Sequence, residues 1–322
     1  MRRIEYIITY EYANMSISGF LKLKHYSSQS ISNQKHIEDG IMLNGERAYA
    51  DARLTVGDKL TINVHEDASS PKIEPIPMDL DILYEDEDVV IINKPADMPI
   101  HPSLNNYDNT LANGLAYYYA RQKQNFVFRC MNRLDRNTTG AVLVAKHAIS
   151  GAMLSEMIRN RTIYKEYVAL VVGDVRHLTD EDGRFTVDAP IGRVDGSSIE
   201  RRVDIEHGER AVTHVSFVKY IPNMDCSYIR CVLDTGRTHQ IRVHMAWLGH
   251  PLLGDGLYNK AYEEKRIKET TESTNDTCDI LGHTNGQMLH CRKICLTNPV
   301  TCCKIEVEAP LPSDMRGICD NG

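Results

Sequence analysis

Short apolar runs alternate with helical periodicities along this chain, and their order predicts its fold class. The run 141–145 is apolar at every position, which is typical of a strand buried on both faces. Apolar residues then recur at helical spacing over 148–160, which predicts an amphipathic helix. The segment 163–172 alternates and predicts a strand with Tyr167 on one face. Because such segments are interspersed over 80–313, we expect an α+β domain there.

The N-terminal residues predict a smaller α/β unit in front of that domain. Sparse apolar positions over 16–45 precede Asn44-Gly45, a dipeptide typical of a tight hairpin turn. A second turn signal, Gly57-Asp58, leads into a closing strand. The predicted organisation is a first domain at 1–65, a proline-containing linker at 66–79, a main domain at 80–313 with a polar surface loop at 260–287, and a tail at 314–322.

Composition and charge change this picture little. The chain has 322 residues, enough for two domains with separate cores. No stretch approaches the length of a membrane helix and the N-terminus does not resemble a signal peptide, so we expect a cytoplasmic protein with no membrane partner. The nine cysteines are irregularly spaced without a Cys-x-x-Cys pair, which predicts free thiols. A net charge of −7 argues mildly against a polyanionic partner, although a local basic groove is compatible with it.

One acidic residue stands out in the polar stretch that leads into the buried run 141–145. Asp135 lies between Arg133 and Arg136, at a boundary of the core where charged neighbours set its pKa. Two interpretations are open on this loop alone. Asp135 is either an ionised catalytic carboxylate or a structural aspartate that accepts backbone hydrogen bonds in a turn.

A second polar cluster follows a predicted strand that ends near Leu233. Thr238 is a candidate cap for a helix whose apolar face carries Ile241 and Met245. Arg237 then stands at a strand-to-helix junction, where it is available to pair with a carboxylate. Taken singly, His239 and its charged neighbours are also compatible with an ordinary solvated surface.

Together, these segments resemble the RluA-type RNA pseudouridine synthases over about residues 80–313. The matching strings are Arg133-Leu134-Asp135-x-x-Thr138-Thr139-Gly140, Lys165-x-Tyr167-x-Ala169-x-Val171-x-Gly173, Gly236-Arg237-Thr238-His239-Gln240-Ile241-Arg242-Val243-His244-Met245 and Gly249-His250-Pro251-Leu252-x-Gly254-Asp255, with Asn93-Lys94-Pro95 as a weaker match. Two positions depart from the family pattern. Asn132 stands where histidine is frequent, and Thr139 replaces serine but keeps the hydroxyl.

The resemblance implies a central mixed, mainly antiparallel sheet flanked by helices, and isomerisation of uridine in RNA to pseudouridine without metal or cofactor. It assigns Asp135 as the essential carboxylate, Tyr167 to the target base and Arg237 to a salt bridge with Asp135. The residues expected to contact RNA are Arg133, Lys94, Thr138, Thr139, His239, Gln240 and Arg242. The expected partner is ribosomal RNA of the large subunit, with transfer RNA as the alternative, and the expected state is a monomer.

The predicted first domain resembles an S4-type RNA-binding domain. The resemblance rests on Lys22, Lys24 and Lys35, on Gly40 with Asn44-Gly45, and on Gly57-Asp58-Lys59-Leu60. It implies a second RNA contact in front of the main domain. The alternative is a solvated basic face on an accessory domain.

Two other functions are compatible with parts of the sequence. The string Leu134 to Thr138 loosely resembles the nucleophile loop of Mg²⁺-dependent phosphatases, but Asn137 replaces the second acid and Asp135 precedes its strand. A non-catalytic RNA-binding or ribosome-assembly protein on the same fold is the second rival. The intact set of Asp135, Tyr167 and Arg237 favours the enzyme.

Overall fold

A computed structural model of the chain describes residues 2–66, 68–103, 106–260 and 286–321. The predicted polar loop at 260–287 lies outside the described residues, except for residues 260, 286 and 287. Within the described ranges, the helices are too short or too polar to cross a lipid bilayer. The cysteines in these ranges are all free.

The N-terminal region forms a small antiparallel sheet covered by two helices. Its elements are β1 (Arg2–Ile7), α1 (Ile17–Leu23), α2 (Ser28–His36), β2 (Ile41–Leu43), β3 (Glu46–Arg47) and β4 (Lys59–Val64). The strand order is β1-β4-β2-β3. The predicted Asn-Gly turn is confirmed between β2 and β3. Asn44 and Gly45 have φ of 54° and 89°, as a type I′ hairpin turn requires.

A ten-stranded mixed sheet forms the centre of the rest of the chain. Its strands run in the order β10-β13-β14-β9-β15-β8-β6-β5, with β16 beside β15 and β7 beside β8, while β11 and β12 pair separately. The strands are β5 (Asp81–Glu85), β6 (Val89–Lys94), β7 (Arg129–Cys130), β8 (Thr139–Ala145), β9 (Tyr164–Val172), β10 (Arg184–Asp188), β11 (Ile191–Arg193), β12 (Arg201–Val203), β13 (Val212–Ile221), β14 (Cys226–Leu233), β15 (Leu289–Thr297) and β16 (Lys304–Glu308).

The predicted α+β class and the mainly antiparallel sheet are confirmed. Among the paired strands described, β8 and β15 run parallel, and the other pairs are antiparallel. The parallel pair approaches very closely at Gly140. A Cβ atom there would lie 2.3 Å from the carbonyl oxygen of Cys291, and its φ is +103°. The glycine of the first motif is therefore required by strand packing and backbone conformation.

Four helices flank the large sheet in the described ranges. They are α3 (Leu111–Arg121), α4 (Ala148–Arg159), α5 (Gln240–Trp247) and α6 (Ser313–Asn321). The predicted helix over 148–160 corresponds to α4, and the predicted strand over 163–172 corresponds to β9. The tail was not expected to be helical. In α6, however, Met315 and Ile318 are 1% and 3% exposed and pack into the core, and two apolar positions three residues apart are too few to predict a helix.

The N-terminal region is fastened to the large sheet by a shared apolar core. Ile149 and Met153 of α4 belong to the same buried cluster as Phe20 and Leu60. Helix α4 is therefore packed on both sides, against its own sheet and against the N-terminal unit.

A buried ionic network lies beside this shared core. The carboxylate of Asp88 accepts hydrogen bonds from the guanidinium of Arg2 at 2.9 Å and from the amide of Asn298 at 3.2 Å, and it contacts the ring of His147 at 3.0 Å. Asp88 is fully buried. Its burial raises the pKa, but the hydrogen bonds from His147 and Arg2 outweigh that effect and lower the pKa to about 2.

Candidate active site

Asp135 lies in the loop that joins β7 to β8, and hydrogen bonds to β8 hold this loop in place. The side-chain amide of Asn132 donates to the carbonyl of Ala141 at 3.0 Å and accepts from the backbone N–H of Leu143 at 2.7 Å. The backbone N–H of Thr138 donates to the carbonyl of Asp135 at 3.1 Å and closes a turn. The loop is thus tied to the strand that it enters, which fixes the direction of the Asp135 side chain.

Lys94 fastens the same loop and does not face RNA, so the expected RNA contact is wrong. It is fully buried at the end of β6. Its ammonium donates to three backbone carbonyls, those of Pro95 at 2.8 Å, Met98 at 2.9 Å and Arg136 at 2.8 Å. Burial lowers the pKa of Lys94 to about 7, against the opposing charges of Asp135 and Asp97.

The carboxylate of Asp135 is held by Arg242, which extends from the first turn of α5. The guanidinium donates to one carboxylate oxygen, Oδ2, at 2.9 Å. The same guanidinium makes a two-pronged pair with Asp255, at 2.7 and 2.9 Å, and Asp255 is fully buried. The ring of Tyr258 lies 5.1 Å from the guanidinium. Two hydrogen bonds to Asp255 and the contact with the Tyr258 ring therefore fix the guanidinium that binds Asp135.

The second oxygen of Asp135, Oδ1, receives no hydrogen bond from the residues that the structure describes. The side chain is 27% exposed and lines a cavity. A carboxylate held at one oxygen and open at the other is oriented without being saturated. This arrangement leaves Oδ1 available to a bound substrate.

Arg237 does not pair with Asp135, and the salt bridge expected of it is made by Arg242. The guanidinium of Arg237 instead pairs with Glu209 and donates to the carbonyl of Arg210 at 3.1 Å. The two arginines lie on different elements. Thr238 does not cap α5, because His239 adopts a left-handed conformation with φ of 58° and the helix begins at Gln240. Arg242 therefore lies in the first turn, and Arg237 lies outside the helix.

Tyr167 stands on β9 beside the same cavity. It is 7% exposed, and its strand partner in the register with β15 is Cys291. Burial raises the pKa of Tyr167 well above its usual range, and the neighbouring Cys291 thiol and Asp135 carboxylate add to this effect. The phenol is therefore neutral at physiological pH, with its ring presented at the wall of the cavity.

The cavity opens into a groove of about 890 Å³, hereafter the active-site groove. Arg133 is exposed on its wall and has no carboxylate within ion-pair distance among the described residues. His239 lines the inner cavity, with its ring nitrogen 3.8 Å from Asp135 and a hydrogen bond of 2.9 Å to Tyr258. Burial lowers the pKa of His239, and the charge of Asp135 opposes this. The inner cavity therefore combines an oriented carboxylate, a neutral phenol and a partly buried imidazole.

Known proteins are similar to this chain in sequence and in fold. The profile of the family described as RNA pseudouridylate synthase matches residues 88–247. An uncharacterized RNA pseudouridine synthase of Bacillus subtilis, YlyB, is 34% identical over 325 residues, which cover 100% of this chain and 98% of the relative. This chain belongs to the RNA pseudouridine synthases. The synthase is also similar to ribosomal large subunit pseudouridine synthase D of Escherichia coli, at 37% identity over 80% of this chain and 75% of that protein.

Solved structures agree on the fold. The human RNA pseudouridylate synthase domain containing 1 superposes with a TM-score of 0.53 at 24% identity, over 72% of the synthase and 83% of that chain. A second human protein, RNA pseudouridylate synthase domain containing 4, gives the same TM-score at 21% identity. The match covers 74% of the synthase and 92% of that chain. At these identities the likeness concerns the fold alone. It agrees with the large mixed sheet described above.

Three further residues expected to contact RNA have internal partners in the synthase. The hydroxyl of Thr138 is buried and accepts from the amide of Gln287 at 3.0 Å. The hydroxyl of Thr139 contacts the ring of His290 at 2.8 Å. Gln240 is 3% exposed, and its amide bridges the backbone before α5 to β13. These polar groups connect strands and loops around the site, and their contact with RNA stays a prediction.

Asp255 and Tyr258 are site residues that the motifs did not reveal. Asp255 ends the Gly-His-Pro string, but the resemblance to the family assigns it no role. The available signal was a charged residue directly after a glycine at the end of a matched string. Tyr258 lies outside the strings, and nothing in its sequence context indicates contact with Arg242.

Proposed function

We propose that this synthase isomerises a uridine of large-subunit ribosomal RNA, with Asp135 as the reacting carboxylate. The observation that carries the proposal is the geometry of that carboxylate. One oxygen is held at 2.9 Å by Arg242, and the other faces a cavity without a donor among the described residues. The preference for ribosomal RNA rests on the printed function of the Escherichia coli relative. Such a substrate also agrees with the expected cytoplasmic location.

The reaction rearranges one nucleoside and conserves its composition. The N1–C1′ bond breaks with its electron pair moving to the uracil, the uracil turns, and C5 bonds to C1′. The proton on C5 is then lost and N1 gains a proton, so substrate and product are isomers. Asp135 acts at the sugar in either of two ways, by bonding to C1′ or by removing a proton so that a glycal forms. Both routes use a free carboxylate oxygen, and Arg242 orients the group through its other oxygen.

The target uridine must leave the base stack to reach this cavity, because Asp135 and Tyr167 lie recessed in the protein. The ring of Tyr167 is placed to pack against the uracil, and its neutral phenol is suited to exchange a proton with the base or a water molecule. Arg133, exposed at the rim, is suited to contact the RNA strand around the vacated position. His239 completes the wall beside the sugar.

The N-terminal region provides a candidate second contact with RNA, which supports the proposed S4-type domain. A hollow of about 690 Å³ there is lined by Lys35, Arg47 and Arg53, and by Tyr49, which is 74% exposed. Cationic and aromatic groups in one exposed concavity are typical of surfaces that bind single-stranded RNA. Lys24 is less available, because its ammonium lies 4.9 Å from the centre of the Tyr12 ring.

The test is pseudouridine mapping on RNA from cells that lack the gene, so that the target uridines are unmodified. Purified wild-type protein should create carbodiimide-dependent reverse-transcription stops in large-subunit ribosomal RNA, and Asp135→Asn should create none. A wild-type stop in transfer RNA alone would overturn the ribosomal target. Pseudouridine made equally well by Asp135→Asn would overturn the role of Asp135. RNA binding without any new stop would favour the non-catalytic rival.

A further inference from the structure

The active-site groove is basic although the whole chain carries a net charge of −7. Five cationic side chains and two carboxylates line it in the residues that the structure describes. The cations are Arg133, Arg159, Arg161, Lys165 and Arg237, and the carboxylates are Asp135 and Asp234. The excess of positive charge fits a polyanionic strand, and it raises the question of which cations are free to bind one.

Most of these cations already have a carboxylate partner within the protein. Arg159 pairs with Glu156 on its own helix, and Arg237 pairs with Glu209. Arg161 lies 3.5 Å from Asp234. The other carboxylate of the groove, Asp135, is held by Arg242. The groove therefore contains no unengaged carboxylate among its described residues.

Lys165 differs from these cations because it is both partly buried and unpaired. It has no hydrogen bond and no ion pair with the residues that the structure describes. Its electrostatic neighbour is the thiol of Cys291, whose pKa burial raises to about 12, so the thiol is uncharged. Because its ammonium has no acceptor among the described residues and lines the groove, it is available to an anion bound there.

The position of Lys165 shows where such an anion would lie. Lys165 and Tyr167 are two residues apart on β9, so they share a face and are separated by about 7 Å along the strand. Both side chains line the active-site groove with Asp135. A bulge between Cys291 and Lys293 in the adjacent strand displaces the pairing beside them. An anion bound at Lys165 would therefore lie next to a base packed on Tyr167.

We propose that Lys165 binds a backbone phosphate of the RNA beside the flipped uridine. The inference rests on the proposed function and assigns a specific substrate contact to it. Phosphate is the anion that every RNA strand carries at this distance from its bases, and the ammonium of lysine binds it as a point charge. Lys165 contributes to holding the strand and does not take part in the bond changes.

The test compares Lys165→Met with Lys293→Met, each in the full chain. Lys293 is a lysine on the neighbouring strand whose ammonium is already paired with Glu306 and Glu308. Binding to an unmodified target RNA is measured over a series of salt concentrations, and single-turnover rates are measured at saturating RNA. Lys165→Arg, which keeps the charge, is the conservative variant.

For Lys165→Met we expect affinity for RNA to fall about tenfold at low salt. The slope of log affinity against log salt should shrink by about 0.7, which corresponds to one lost contact with a single strand. The saturated rate should change less than about threefold, and the midpoint of thermal unfolding should stay close to that of wild type because no hydrogen bond or ion pair within the described residues is lost. Lys165→Arg should recover most of the affinity, and Lys293→Met should resemble wild type.

The inference is wrong if Lys165→Met binds RNA with unchanged affinity and salt slope. It is also wrong if the saturated rate alone falls, because that result would place Lys165 in the chemical step. A lower unfolding midpoint with equal losses for the methionine and arginine variants would indicate a structural role. Failure of the proposed function looks different, since wild type would then bind RNA without making pseudouridine.

Discussion

The synthase contains two buried carboxylate–arginine networks of opposite design. At the junction of the N-terminal region, Asp88 receives Arg2 and Asn298 on its two oxygens, contacts His147, and is fully buried. At the active site, Asp135 receives a hydrogen bond from Arg242 on one oxygen, accepts none on the other from the described part of the chain, and remains 27% exposed. Both oxygens of the first carboxylate have partners within the protein. The second carboxylate is oriented through one oxygen, and its other oxygen is open to a substrate.

The difference shows how the same pair of residue types serves structure or reactivity. A saturated buried ion pair fixes two parts of the chain relative to each other, and its carboxylate has no free lone pair for a substrate. Arg242 meets most of its own requirements through Asp255, which is fully buried. The position of Arg242 therefore does not depend on its contact with Asp135. This division of roles makes the two networks separable by mutation.

The largest expected effect is the loss of turnover in Asp135→Asn. We expect the single-turnover rate to fall on the order of 10⁴-fold or more, because the reacting carboxylate is replaced by a neutral amide. The free energy of unfolding should be nearly unchanged, since Arg242 keeps its pair with Asp255. Urea unfolding and the rate measurement are made on the same preparation. An Asp135→Asn variant that loses stability and keeps its rate would contradict the assignment of Asp135 to reactivity.

The converse is expected of Asp88→Asn, with a large effect on stability. Removing the charge leaves Arg2 and His147 without their buried partner, and the free energy of unfolding should fall by about 3 kcal/mol. The rate per folded molecule should remain close to wild type. The matched control is Asp97→Asn, whose exposed pair with Arg136 should contribute less than about 1 kcal/mol. Equal losses in the two variants would contradict the account.

A smaller effect is expected in the pH dependence of stability. The pKa of Asp88 is about 2 in the folded chain, below its ordinary value of 3.8, so the unfolded chain binds more protons between these values. Asp88 therefore stabilises the fold above about pH 4, and this contribution, on the order of 2 kcal/mol, is lost as the pH falls through about 2. Urea unfolding across this range should show the gap between wild type and Asp88→Asn closing. A gap that stays constant would show that Asp88 does not act through its charge.

The sequence predicted those parts of the molecule that are determined by neighbouring residues within one segment. The apolar run 141–145, the periodicity over 148–160 and the alternation over 163–172 each specify an element through their own residues. Asp135 and Tyr167 were found through motif strings, and the structure places both on one cavity. The α+β class follows from the order of these elements.

The choice between two arginines could not be made from the string that contains both. Arg237 and Arg242 are five residues apart in one matched string. Arg237 pairs with Glu209, whereas Arg242 is held by Asp255 and reaches Asp135. Lys94 is a similar case, because its three carbonyl acceptors come from two separate loops. Contacts assembled from distant segments leave no local pattern to read.

The most direct test of the account compares the rates of Arg242→Lys and Arg237→Lys. Both variants keep a positive charge, but lysine is unable to bridge Asp135 and Asp255 as the guanidinium of Arg242 does. Single-turnover rates at saturating RNA should fall about 10²-fold for Arg242→Lys and less than about threefold for Arg237→Lys. A larger loss for Arg237→Lys, with Arg242→Lys near wild type, would contradict the assignment of Arg242 as the residue that orients Asp135.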